Sequence, residues 1–169
     1  DGENQSDVLS KIVKKCNATN AELNVSIHFN SGANDKVGNG KTTLAKAICK
    51  TIGILYDSAY SNERKGVCRI SALEVAKCAS DPESFTRLRS QEMLFIDDVG
   101  TEPASIKSWG NEISPVTELL YSRYDRQLFT IITSNLNDKE LEERYGLRIA
   151  DRMAEMFERL YYSNRSYRK

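Results

Sequence analysis

Two runs without polar alternation constrain this chain most: Met93-Leu94-Phe95-Ile96, and Leu128 to Ile132 in "LFTIITSN". A strand with one wet face alternates apolar and polar residues, so each run reads as a strand covered on both faces. Around them lie segments whose apolar residues recur at helical spacing. Leu44, Ala47, Ile48 and Ile52 do so in "KTTLAKAICKTIGI", Val116, Leu119, Leu120 and Tyr124 in a second segment, and Leu147, Ala150, Met153 and Phe157 in "LRIADRMAEMFERL". Val25 to Phe29 alternates as a strand should, and "GVCRI" reads as a short one. Strands alternating with helices predict an α/β chain with a parallel sheet, because each crossover must return over a face. Start and stop signals agree with this division. Ser71-x-x-Glu74 is a capping box, Asp81-Pro82 and Ser114-Pro115 open helices with proline in the first turn, and "NDKELEERYG" stops at Gly146. Gly100 to Asn111, which includes Trp109, reads as polar and irregular, and the tail "YYSNRSYRK" as room for a last strand.

The chain has 169 residues, enough for one domain with a sizeable core. Its 24 basic and 24 acidic residues cancel, so contact with a nucleic acid would have to come from local patches. Cys16, Cys49, Cys68 and Cys78 show no Cys-x-x-Cys spacing and lie in or beside apolar segments, which favours reduced thiols over disulfides or zinc. His28, between Ile27 and Phe29, reads as structural. No apolar run is long enough to cross a bilayer, and the expectation is a cytoplasmic protein without membrane contact. The first residue is Asp1, and residues 1–24 read as the remnant of a linker or upstream region ahead of a domain spanning 25–169.

Between the first strand and its helix lies "SGANDKVGNGKTT". A triphosphate needs inward-pointing backbone amides with a helix N-terminus behind them, a mobile cation, and a hydroxyl for magnesium. Gly38, Asn39 and Gly40 allow the close backbone approach, Lys41 can reach the β and γ phosphates, and Thr42, with Thr43 beside it, opens the helix with the hydroxyl for the metal. The template asks for glycine where Asp35 stands. That position lies at the outer edge of the loop and supplies no functional group, so its change alters the entry without emptying the cradle. The other reading is an ordinary glycine turn before an amphipathic helix.

"MLFIDDVG" places two acids at the end of a buried strand. In P-loop ATPases such a strand delivers one carboxylate that positions magnesium, while a neighbouring acid orients and deprotonates the attacking water. Asp97 and Asp98 fit those tasks in that order; a solvated turn is the alternative. Asn135 ends the next buried strand at the same edge of the sheet, where ligands of such folds collect. Its amide suits holding the lytic water or sensing the γ-phosphate, or else a local turn with Asn137.

The loop, Asp97-Asp98, "TSNLN", "YGLRIADRMAE" and "SYR", in this order, resemble the ATPase domain of DnaC-type bacterial replicative helicase loaders and of the IstB-type transposition helpers of the same AAA+ clade, from about Val25 to the C-terminus. The resemblance implies a three-layer αβα P-loop NTPase of AAA+ type with a five-stranded parallel sheet and little or no C-terminal helical lid. It implies ATP and magnesium as ligands, Lys41 and Thr42 as the Walker A pair, Asp97 and Asp98 as Walker B, and Asn135 as sensor 1. Arg152 falls where the family places the arginine finger that enters a neighbouring subunit's site, with Arg148 as the alternative, and Arg168 matches the sensor 2 arginine. A solvated face shared with Asp151, Glu155 and Glu158 is the other reading of these arginines.

The function expected is therefore ATP hydrolysis by a homo-oligomer with sites between subunits, acting on single-stranded DNA with a replicative helicase, or with a transposase, as partner. Arg159, Arg165, Arg168 and Lys169, interleaved with Tyr161, Tyr162 and Tyr167, are the mixture a single strand can use, and core packing of the tyrosines is the alternative. A P-loop kinase acting on a small acceptor and a nucleotide-switched scaffold without hydrolysis are the rivals from other classes. Residues 1–24 are by themselves too few for the separate helicase-binding domain that such loaders usually carry, so helicase contact is the least secure of the expectations drawn from the resemblance.

Overall fold

The computed structural model describes residues 26–31, 40–55, 66–108 and 110–162. Asp35, Gly38, Asn39, Trp109 and Arg168 lie outside the described residues, as do residues 1–24.

Strands β1 (Ser26–Ser31), β2 (Cys68–Ser71), β3 (Met93–Val99), β6 (Phe129–Ser134) and β7 (Phe157–Tyr162) form one five-stranded sheet in the order β2-β3-β6-β1-β7, and every pair in it is parallel. Helices α1 (Lys41–Leu55), α2 (Ala72–Cys78), α3 (Pro82–Arg89), α4 (Pro115–Asp125), α5 (Asp138–Tyr145) and α6 (Leu147–Met156) supply the layers on its faces. The two apolar runs are the reason the sheet is covered twice. In β3, Leu94 and Ile96 pack with Val75, Leu119 and Ile149 of the helices on one face, while Met93 and Phe95 pack with Ala45, Ile48 and Cys49 of α1 on the other. All six residues of β6 are buried, so both of its faces are used.

The caps sit where the sequence puts them. The Ser71 hydroxyl accepts from the Glu74 amide at 3.2 Å while the Glu74 carboxylate accepts from the Ser71 amide at 2.9 Å, and Asp81 caps α3 through the Ser84 amide at 3.0 Å. Ser114 precedes α4 but makes no side-chain cap. Gly146 ends α5 and starts α6 with φ +84° and ψ 155°, a conformation open essentially to glycine alone.

Four local expectations are corrected. The buried side of α1 runs through Ala45, Ile48 and Cys49, and Ala47 is exposed. In α6 the buried residues are Ile149 and Met153, whereas Leu147 is 60% exposed. That helix stops at Met156, and Phe157 begins a strand: a spacing of Met153, Phe157 and Leu160 suits a helix, but β1 offers six partners from Phe157 to Tyr162, and pairing with it decides the conformation. Finally, the stretch read as irregular holds an antiparallel hairpin, β4 (Ile106–Ser108) with β5 (Asn111–Ile113), in which Ile106 faces Ile113. Among the described residues, no helix is long and apolar enough to cross a membrane.

Candidate nucleotide site

The sheet order puts β6 between β3 and β1, so the residues that end β3, end β6 and open α1 meet at one edge. Gly40, with φ +103°, turns the chain into α1. One residue later Lys41 is only 5% exposed, and its ammonium donates to the Ser134 carbonyl at 2.7 Å and to Asn135 Oδ1 at 2.5 Å. Burial lowers the affinity of this amine for its proton, and the negative charge of Asp98 opposes that effect. Thr42 donates from Oγ1 to Asp97 Oδ1 at 2.9 Å, and Lys46 stands 4.0 Å from Asp97 Oδ2. Lys41, Thr42, Asp97, Asp98 and Asn135 are thus brought together; Thr43 is exposed on the first turn of α1.

How two consecutive acids reach one site is answered by the backbone. Ile96 pairs with Ile132, but the next pair is Val99 with Ser134, so β3 carries one extra residue at Asp97-Asp98. Such a bulge re-aims side chains. Asp98 takes φ +56°, unusual for a residue with a side chain, and stands exposed at the rim while Asp97 stays partly covered. Thr133, buried on β6, bonds both residues: it donates to Asp97 Oδ1 at 2.6 Å and accepts from the Asp98 amide at 2.9 Å.

The arginines stand apart from this group. Arg152 lies over the rings of Tyr121 and Tyr124, 4.3 and 4.9 Å from their centroids, and pairs with Asp125 at 3.4 Å. Arg148 is exposed one turn earlier. Arg159 is engaged within the chain, donating to Asp138 Oδ2 at 2.6 Å.

The fold occurs in known structures. The DnaC helicase loader is 22% identical over 96% of this chain and 93% of its own, with a TM-score of 0.66. DnaI is 17% identical over 96% and 88%, with a TM-score of 0.65. The fold is that of an AAA+ P-loop domain. AMPPCP-bound DnaA from Aquifex aeolicus shares it at 18% identity and a TM-score of 0.60, over 94% of this chain and 47% of that one. No family model and no curated protein matches the sequence.

Sequence reasoning missed Thr133 and Glu102. Thr133 carries a weak signal, a hydroxyl near the end of a strand that is buried along its whole length. Glu102, in the segment read as irregular, carries none, yet it is 3% exposed. Its carboxylate accepts from the Gly100 amide at 2.9 Å and from the Tyr145 hydroxyl, and Arg144 pairs with it at 3.8 Å. Burial and this carboxylate both raise the Tyr145 hydroxyl above the ordinary tyrosine range.

Proposed function

We propose that this chain binds ATP with magnesium, hydrolyses it, and works in the cytoplasm as an oligomeric helicase-loader-like protein on single-stranded DNA. The observation that carries the reading is the meeting of Lys41, Thr42, Asp97 and Asn135 through direct hydrogen bonds at the edge where three strands end. The fold it shares with DnaC, and with a DnaA that holds a nucleotide analogue, supports it.

Magnesium fits the donors present. Thr42 Oγ1 and Asp97 Oδ1 are hard oxygen donors 2.9 Å apart, and magnesium needs few protein ligands when it also takes phosphate oxygens and water. When bound, the ion would neutralise phosphate charge. Lys41 would exchange its present bonds to Ser134 and Asn135 for the β and γ phosphates, which releases Asn135 to face the γ-phosphate or the attacking water. Asp98, exposed beside Asp97, would orient that water and take its proton. Gly38, Asn39, Gly40 and Thr43 would complete the phosphate loop, Arg168 would act as sensor 2, and Arg152, or Arg148, would serve a neighbouring subunit.

Phosphate release measured with and without single-stranded DNA tests the reading. Wild type should hydrolyse ATP, and faster with DNA, while Lys41→Ala should lose nucleotide affinity and turnover. Equal binding of labelled ATP by both proteins would sink the assignment, and transfer to a small acceptor instead of water would favour the kinase.

A further inference from the structure

The turn that carries Asp98 is held in an unfavourable backbone state by a set of contacts, and one buried carboxylate closes that set. A left-handed residue with a side chain is unfavourable and persists only where its surroundings hold it. At Asp98, Thr133 accepts from the amide, and Thr101 donates to the carbonyl through its amide at 3.2 Å and its hydroxyl at 2.8 Å. Gly100 then reverses the chain with φ +103°, backed closely by Leu136: a Cβ there would lie 2.5 Å from Leu136 Cδ1. The Gly100 amide points at Glu102 Oε2, and Glu102 Oε1 receives the Tyr145 hydroxyl while the Arg144 guanidinium donates to the Glu102 carbonyl.

A buried carboxylate is costly unless paired and hydrogen-bonded, and this one is both. Its partners come from two places. Gly100 belongs to the acid turn, and Arg144 and Tyr145 are the last residues of α5, immediately before Gly146 and the helix that bears Arg148 and Arg152. We propose that Glu102 is a positioning residue that clamps the Asp98 turn to the α5–α6 junction, fixing where the acid stands relative to the bound nucleotide. The proposal rests on the reading of Asp98 as the group that orients the attacking water. Misplacement of such a group by about 1 Å costs up to about 100-fold in rate.

The test compares Glu102→Ala, Glu102→Gln and Tyr145→Phe with wild type and Asp98→Asn, by turnover at saturating ATP, binding of a fluorescent ADP, thermal unfolding, and hydrogen exchange at residues 99–102. Glu102→Ala should lose about 10- to 100-fold in turnover, hold fluorescent ADP within about threefold of wild type, and exchange the Gly100 amide about tenfold faster or more. Glu102→Gln keeps an oxygen for Gly100 and an NH2 for the Tyr145 oxygen, so it should recover most of both, and Tyr145→Phe should show a smaller change in the same direction. A Glu102→Ala protein that melts lower but, assayed while folded, turns over as wild type overturns the proposal, as does unchanged exchange at Gly100. Should Glu102→Ala fail to fold, Tyr145→Phe carries the decision, and wild-type turnover and exchange in it refute the clamp. If Asp98→Asn hydrolyses ATP like wild type, the role of Asp98 is wrong, and the exchange at Gly100 separately decides whether the clamp exists.

Discussion

Thr133 shows how much of the site depends on one hydroxyl. Val would fill nearly the same space, but it can neither donate to Asp97 nor accept from the Asp98 amide, so Thr133→Val leaves a partly buried amide without that partner. Losing such a bond costs about 1–3 kcal/mol. Thr133→Val should lose that much stability in urea unfolding and need more magnesium to hold nucleotide, because Asp97 then keeps only Thr42 and the longer contact with Lys46. An unchanged magnesium half-saturation would show that Thr133 serves only the fold. Legibility at this level followed chemistry that stands at a fixed sequence offset. That Lys41, Thr42 and the acid pair would lie at one edge could be read because a loop and its helix, or a strand and its end, are each continuous in sequence, whereas Thr133 and Glu102 acquire their contacts only from residues brought in by folding. Arg123 is the sharpest case. It follows Val116, Leu119 and Leu120 at the next position of their stripe, where sequence reasoning took Tyr124 as the continuing residue, yet its side chain is 0% exposed. The guanidinium donates to Thr130 Oγ1 at 2.8 Å and to the carbonyls of Gln91 at 2.8 Å and Phe129 at 2.6 Å, joining α4 to the starts of β3 and β6. Burial pushes it down to about 10, so it stays charged at neutral pH.

Helix starts were legible because a cap is a local exchange of hydrogen bonds, complete within four residues. The end of α6 was not, since its stop is imposed by β1, far away in sequence. The β4–β5 hairpin escaped for another reason: strands of three residues are too short to show a period of two, and the turn that joins them contains Gly110 at φ +81° with no Asn-Gly or Asp-Gly signal. Gly146 is where element and site meet, because it sets the angle between the helix that holds Glu102 and the helix that bears Arg152. A Cβ at Gly146 would meet nothing within 4 Å, so Gly146→Ala isolates the backbone cost. That cost is about 2 kcal/mol, which lowers Tm by about 4–8 °C in a chain of this size. Unaltered melting would mean that α5 and α6 can rejoin at another angle.

In the whole molecule, the sheet gathers cation, acids and amide at one edge but leaves Arg152 on the flank of α4, sharing no contact with Lys41, Thr42, Asp97, Asp98 or Asn135 among the described residues. The fold agrees with what the motifs implied about architecture, since strand order and layering follow from the buried runs and their crossovers. The place of the arginine relative to another subunit had no such local source. Energetics favour a group that can be lent to a neighbour. The pair with Asp125 is exposed and contributes about 0–1 kcal/mol, and each ring contact about 0.5–1 kcal/mol. Presenting the guanidinium elsewhere therefore costs about 1–3 kcal/mol, less than the ~4 kcal/mol that a ~1000-fold gain from an arginine finger represents. Turnover per subunit should accordingly rise with protein concentration, and Arg152→Ala should bind ATP like wild type while losing most of its hydrolysis. Mixing it with Lys41→Ala then decides. In a mixed assembly some interfaces join the intact phosphate loop of the Arg152→Ala protein to the intact arginine of the Lys41→Ala protein, and activity should return in part. Mutants that co-sediment yet restore nothing, or wild-type turnover that stays flat down to concentrations where the protein is monomeric, would leave Arg152 as a residue that only fastens α6 to α4.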